Sequence, residues 1–94
     1  MSIGKKIKIQ IEYDKMMDAA KKLQKAAQNC DDAAMQLRHV TTGILTNWEG
    51  NAGLADFYKI QESIQRADKF RDDYLELANK IKKKAENLRA NDTL

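Results

Sequence analysis

The chain has 94 residues, of which 33% are charged and 43% hydrophobic, with a formal net charge of +3. This length allows one small domain. The sequence has no proline and only four glycines, too few turn residues for a sandwich or barrel of many short strands. No apolar run approaches the roughly 18 residues of a membrane span, and no apolar stretch of about 7–15 residues follows the N-terminal lysines as in a signal peptide. The composition predicts long helices and no stable membrane insertion.

The scarcity of reactive side chains argues against catalysis and metal binding. Cys30 and His39 are each the only residue of their type. A single cysteine excludes a disulfide framework and a cysteine-rich zinc site, and by itself it is typical of a cytosolic protein. Adjacent carboxylates, as at Asp31 and Asp32, point in different directions on a helix and form no dyad. No Gly-rich phosphate loop is present. We therefore expect no enzymatic activity, no cofactor and no metal site.

The chain begins with a short alternating pattern. Isoleucines alternate with polar residues over Ile7–Ile11, a period of two that is typical of an extended chain. Asp14 follows as a candidate N-cap. The sequence therefore predicts an extended segment over residues 1–12 and a first helix over residues 13–46.

An apolar stripe runs along each half of the chain. Its members recur at alternating intervals of three and four residues, the period of about 3.5 found where helices pack along a seam. The second helix is predicted over residues 53–89, with Arg71 as the polar member of its stripe. We expect the two stripes to supply the seam of the hairpin and the interface of a dimer. The candidate core and dimer residues are Met16, Ala20, Leu23, Ala27, Cys30, Ala34, Leu37, Ile44, Phe57, Ile60, Ile64, Ala67, Phe70, Tyr74, Leu77, Ile81 and Leu88.

The two helices are joined by a predicted turn over residues 47–52. Gly50 is placed to take the left-handed conformation that ends a helix and reverses the chain. Trp48 ends the first stripe, so we expect its indole to pack across the open end of the hairpin, against Leu54 and Phe57.

The remaining residues of the chain, 90–94, are predicted to form a flexible tail. The predicted fold is an all-α, two-helix antiparallel hairpin in a single domain over residues 1–94.

Such a hairpin leaves apolar side chains outside its own seam, among them Phe70 and Leu77. Because a hairpin of this size has little core to offset its chain entropy, we expect a second hairpin to complete a four-helix bundle. Residues 77–94 hold five basic side chains against two acidic ones, and residues 31–62 hold five acidic against two basic. This distribution favours an antiparallel dimer, although each exposed charge pair contributes at most about 1 kcal/mol.

The pI of about 9.0 raises nucleic acid as a partner. Three consecutive lysines, residues 82–84, form the strongest basic run, but no aromatic residue interrupts them and they match no groove-reading motif. These lysines fit better as solvent-exposed charges near the end of a helix than as a nucleic-acid site. We therefore expect no nucleic-acid partner.

The chain resembles a known family through its mid-chain Trp48-Glu49-Gly50 between two heptad helices of similar length. It is similar to the WXG family of small proteins exported by type VII (ESX) secretion systems, over essentially the whole chain. The resemblance implies a non-enzymatic protein that is secreted without a cleaved signal peptide after a cytoplasmic stage. It also implies a four-helix-bundle dimer with itself or a paralogous WXG-type chain, and recognition by the type VII secretion ATPase.

In that family the Trp-x-Gly turn contributes to the export signal, a role that the resemblance places on Trp48 and Gly50. The second part of the signal is Tyr-x-x-x-Asp/Glu. The nearest arrangement here is Leu88-x-x-x-Asp92, with leucine in place of tyrosine. The resemblance leaves open whether this degenerate signal suffices or a partner chain supplies the complete one.

Two classes of function follow. The first is a substrate, effector or co-exported partner of a type VII system, and the Lys- and Asn-rich composition suits members from low-GC Gram-positive bacteria, many of them homodimers. The alternative is a cytosolic helical adaptor in which the W-x-G is incidental. A further possibility within these classes is a helical protein dedicated to binding one larger exported toxin. Export into the culture medium separates these hypotheses.

Overall fold

A computed structural model describes residues 2–47 and 51–92 of the protein. Helix α1 spans Ile3–Asn47, 45 residues, and helix α2 spans Asn51–Asp92, 42 residues. No strand occurs within these two described ranges. The all-α class and the helical hairpin predicted from the sequence are confirmed.

The N-terminal segment differs from the prediction. Residues 1–12 were expected to be extended, but α1 already begins at Ile3. Ser2 is the N-cap: its Oγ accepts a hydrogen bond from the backbone N–H of Lys5 at 3.2 Å, and its carbonyl accepts one from the N–H of Lys6 at 3.1 Å. An extended segment needs a neighbouring strand to pair its backbone groups, whereas a helix pairs them internally. With no strand beside it in the described chain, the alternating segment is helical.

The other helix ends extend slightly beyond their predicted positions. Of the predicted turn over residues 47–52, Asn47 ends α1 and residues 51–52 begin α2, while residues 48–50 lie outside the described part of the chain. Of the predicted tail over residues 90–94, the first three residues continue α2. Arg89 lies in the last turn of α2, where a positive charge stabilises the negative end of the helix dipole.

The chain divides into two compact units. Unit 1 combines the start of α1, as far as Lys25, with the end of α2 from Tyr74 onward; unit 2 comprises Ala26–Asp73. Each unit therefore contains a segment of both helices and is described separately below.

The seam between the helices is built almost entirely from alanine. In unit 1 the buried apolar side chains among the described residues are Ala20, Ala78 and Ala85, and in unit 2 they are Ala27, Ala34 and Ile64. No large side chain in the described part of the chain is fully buried. Alanine lets helix axes approach closely but buries little apolar area, so this hairpin contains a small hydrophobic core of its own.

Candidate interaction surface

Most of the predicted core and dimer residues lie at the edge of the seam. Of that set, Ala20, Ala27, Ala34 and Ile64 are buried, whereas Phe70 and Leu77 are 53% and 47% exposed. The side chain of Ile44 lies outside the described side chains. The half-buried members are Met16, Leu23, Cys30, Leu37, Phe57, Ile60, Ala67, Tyr74, Ile81 and Leu88. The larger apolar side chains therefore border the alanine seam and keep part of their surface in solvent.

In unit 2, these bordering residues form a shallow apolar groove of about 370 Å³. Cys30 and Ala33 of α1 form one side, and Ala67 and Phe70 of α2 form the other. The polar residues that complete it are Asn29, Ser63 and Arg66. An apolar groove between two helices, with small residues on one wall and an exposed phenyl ring on the other, has the shape that accepts a partner helix.

In unit 1, a second groove of about 270 Å³ lies along α2. Leu77 and Ile81 form its apolar floor, one helical turn apart. The residues that surround them are Lys80, Lys83, Lys84 and Asn87. This groove has three lysines at its edges, whereas the groove of unit 2 has one basic residue, Arg66, so the unit 1 groove would suit a more acidic partner segment.

A network of ion pairs crosses the seam of unit 2 around Arg71. Its Nη1 lies 3.0 Å from Asp31 of α1 and 3.3 Å from Asp68 of α2, and its Nε lies 3.0 Å from Asp72. Arg38 of α1 donates to the other oxygen of Asp68 at 2.9 Å. Two ion pairs, Arg71 with Asp31 and Arg38 with Asp68, therefore connect the helices.

The network explains why a polar residue is tolerated in the apolar stripe. Arg71 is 31% exposed, so its charge keeps contact with water while its guanidinium bridges the helices. The hydrogen bond to Asp72, followed by the one to Asp31, raises the pKa of Arg71 above its ordinary value. Because the contacts of Arg71 with Asp31 and of Arg38 with Asp68 join the two helices, they favour a single register over a slipped one.

A second interhelical cluster lies in unit 1 at Tyr13. The Tyr13 hydroxyl donates to Glu86 at 3.0 Å, and the guanidinium of Arg89 lies 4.4 Å from the centre of the Tyr13 ring. Arg89 also pairs with Glu86 at 3.0 Å. Partial burial, and then the hydrogen bond to Glu86, raise the pKa of Tyr13, although the positive charge of Arg89 acts in the opposite direction.

The predicted export residues are placed as follows. Trp48, Glu49 and Gly50 lie outside the described residues. Leu88 is half-buried on α2, and Asp92 is the last residue of that helix. Their spacing of four residues therefore lies within α2, which ends at Asp92.

The described residues offer little for metal binding or membrane insertion. In the part of the chain that the structure describes, no three histidine, cysteine, aspartate or glutamate side chains are grouped closely enough to hold a metal ion. Neither helix, as far as it is described, combines the length and the apolar character needed to cross a membrane. Cys30 is a free, half-buried thiol in the groove of unit 2.

Sequence reasoning missed the partners of Arg71 and Tyr13. It treated Arg71 as the polar member of its stripe and assigned no contact to Tyr13. The signal was present in the acids nearby, since Asp68 and Asp72 are within one helical turn of Arg71. The contact to Asp31, however, depends on the alignment of α1 with α2, and residue spacing within one helix does not determine that alignment.

Comparison with protein families identifies the chain. The model of the family WXG100, described as proteins of 100 residues with WXG, matches residues 8–93. The chain belongs to this family, whose members are small helical proteins associated with type VII secretion. No curated protein and no solved structure matches the chain significantly.

Proposed function

We propose that the protein is a non-enzymatic secreted substrate, or co-exported partner, of a Gram-positive type VII secretion system. The observation that carries the proposal is the family match over residues 8–93. The chain is exported without a cleaved signal peptide, after a cytoplasmic stage, and is recognised by the secretion ATPase. Trp48 and Gly50 form one part of the export signal, and the helical turn from Leu88 to Asp92 lies where the second part is expected.

The functional form is a dimer in which a second hairpin covers the exposed apolar surface. Proteins of this family pair as dimers with related chains. Support from this chain comes from its alanine seam, which buries little apolar area, and from Phe70, which lines the groove of unit 2 and is half exposed. Burial of these surfaces against a second copy, or against a paralogous chain, adds the core that one hairpin lacks.

Export is tested by producing the protein at its natural level and measuring it in the culture medium. We expect it there in wild-type cells and only inside cells that lack the secretion ATPase. Equal amounts in the medium of both strains, with a cytosolic marker retained, would contradict the proposal. Retention in the cells of both strains would favour the alternative, a helical adaptor that stays in the cytosol.

The role of the turn is tested with Trp48→Ala. Tyr58→Ala is the matched control, because Tyr58 is an aromatic residue of the second helix with 62% of its surface exposed. We expect loss of export for the first variant and normal export for the second. Circular dichroism and light scattering of both purified variants establish that they remain helical and keep the wild-type mass. A folded Trp48→Ala protein that is still exported would show that the turn is not part of the signal.

A dedicated partner of a larger exported toxin is a second candidate. The small alanine seam and the basic-edged groove of unit 1 favour it, because both are suited to association with another chain. In that case the protein would reach the medium only in strains that also produce the larger protein. Deleting the genes of candidate partners one at a time, and measuring export of this chain, separates autonomous from assisted export.

A further inference from the structure

Three isoleucines form an exposed row at the start of α1. Ile3, Ile7 and Ile11 are 78%, 55% and 49% exposed. Residues four apart lie on the same face of a helix, about one turn apart. The row therefore extends over the first three turns of α1 as one continuous apolar strip.

The row faces away from the seam between the helices. Tyr13 marks the face of α1 that meets α2, since it contacts both Glu86 and Arg89. Ile9, one turn before Tyr13 on that face, is half-buried. Ile7 and Ile11 are each two residues from Ile9, a separation that places side chains about 160° apart around a helix. The hairpin's own packing therefore does not use this row.

Positive charge flanks the first two isoleucines, whereas the acidic Glu12 follows Ile11. Lys6 and Lys8 immediately precede and follow Ile7, so they flank the row on its two sides, and both are exposed. Lys5 adds a third positive charge, and residues 2–11 contain no acidic side chain. The row ends at Asp14, which follows on the same face and accepts a hydrogen bond from Gln10 at 2.9 Å.

A second copy of this chain is a weaker match for this surface than a densely anionic surface would be. The apolar groove of unit 1 has basic edges formed by Lys80 and Lys84, so pairing it with Lys6 and Lys8 would bring like charges together. In unit 2, Asp31, Asp68 and Asp72 are already engaged with Arg71. This leaves few acids, such as the exposed Asp32 and Asp73, that no arginine engages. A surface rich in unpaired negative charge is the better complement.

We propose that residues 3–11 bind reversibly to the surface of an anionic phospholipid membrane. The helix lies in the plane of the interface. Ile3, Ile7 and Ile11 enter the boundary between headgroups and acyl chains, and Lys6 and Lys8 contact lipid phosphates on either side. This is surface binding of a short helix, distinct from insertion across the bilayer. It is an activity beyond the proposed export of the protein, and it does not depend on that export.

Flotation with lipid vesicles tests the proposal, using purified full-length protein. Vesicles of phosphatidylcholine alone are compared with vesicles that also contain phosphatidylglycerol. We expect binding to the anionic vesicles, weakening as salt is raised, and little binding to the neutral ones. Equal binding to both compositions, or no binding to either at low salt, would overturn the proposal.

The apolar row is tested with Ile7→Gln and its matched control Met35→Gln. Met35 is also an exposed apolar residue of α1, 53% exposed against 55% for Ile7. We expect Ile7→Gln to weaken binding at least about tenfold, because its side chain would be buried on binding, and Met35→Gln to bind like the wild type. Equal losses in the two variants would show that the row has no special role.

The lysines are tested with the double variant Lys6→Gln/Lys8→Gln. Lys21→Gln/Lys25→Gln is the control, since it removes the same charge from later turns of α1. We expect the first variant to lose at least about tenfold in affinity for anionic vesicles and the control to lose little. If Ile7→Gln changes the mass in light scattering and leaves vesicle binding intact, the row serves a protein interface and the proposal is wrong.

Discussion

Tyr13 connects the first part of α1 to the last part of α2 through a single side chain. It is separated by 73 residues from its hydrogen-bond partner Glu86, and the ring also receives the guanidinium of Arg89. Because the hydroxyl donates to a carboxylate, the neutral form of Tyr13 is the one that the folded protein stabilises. The contact is therefore sensitive to alkaline pH.

We predict that Tyr13→Phe reduces the loss of stability at alkaline pH. The pKa of Tyr13 is raised from its ordinary value of 10.0, first by burial and then by Glu86. A raised pKa in the folded state means that the stabilisation is complete below pH 10 and is lost as pH rises through the folded-state pKa. Urea unfolding followed by circular dichroism, at neutral pH and at about pH 11, measures the change.

The control for this experiment is Tyr58→Phe, whose parent side chain is 62% exposed. It should show the same alkaline loss as the wild type, since the lysines that titrate in this range remain. Equal behaviour of the two phenylalanine variants would mean that the Tyr13 hydroxyl makes no pH-dependent contribution.

At the scale of the helices, the alanine seam determines how closely α1 and α2 approach. The heptad pattern located this seam, and the alanines at 20, 27 and 34 fall at intervals of seven. What the pattern did not reveal is that larger stripe residues, such as Tyr74 and Ile81, are only half-buried at the edge of the seam. Period alone does not say which stripe residue faces the other helix of the same chain and which faces outward.

We predict that Ala78→Leu destabilises the protein by about 1–3 kcal/mol, because the added side chain forces the two helices apart. Ala78 is fully buried in unit 1. Asn79→Leu is the control, since Asn79 is the next residue and is exposed. Urea unfolding at a fixed protein concentration gives both values, and a similar loss in both variants would argue against close packing at Ala78.

The helix ends were predicted less well than the helices. The periodicity of residues 13–46 and 53–89 lies within the observed α1 and α2, because repeated apolar residues over many turns are a strong signal. The alternation at Ile7–Ile11 misled the prediction, since five residues fit a strand pattern by chance more easily than thirty fit a helix. Ser2 caps the helix that forms there, through its hydrogen bond from the N–H of Lys5.

At the scale of the whole molecule, we expect the purified protein to be a dimer. Light scattering should give a mass near twice 10.7 kDa at both low and high salt. Apolar burial is little affected by added salt, whereas exposed charge pairs are screened. A monomer at both salt concentrations would contradict the homodimer, and would direct attention to a paralogous chain as the partner.

The contacts between the helices differ greatly in the length of chain that they close. Arg38 and Asp68 are 30 residues apart, Asp31 and Arg71 are 40 apart, and Tyr13 and Glu86 are 73 apart. Closing a longer loop costs more entropy, although the cost grows only slowly with length. We therefore expect the contacts around Arg71 to form first during folding and the contact between Tyr13 and Glu86 to form last. The helix ends that contain both termini would then be the first part to open, so the start of α1 and the final turn of α2 become accessible while unit 2 is still folded.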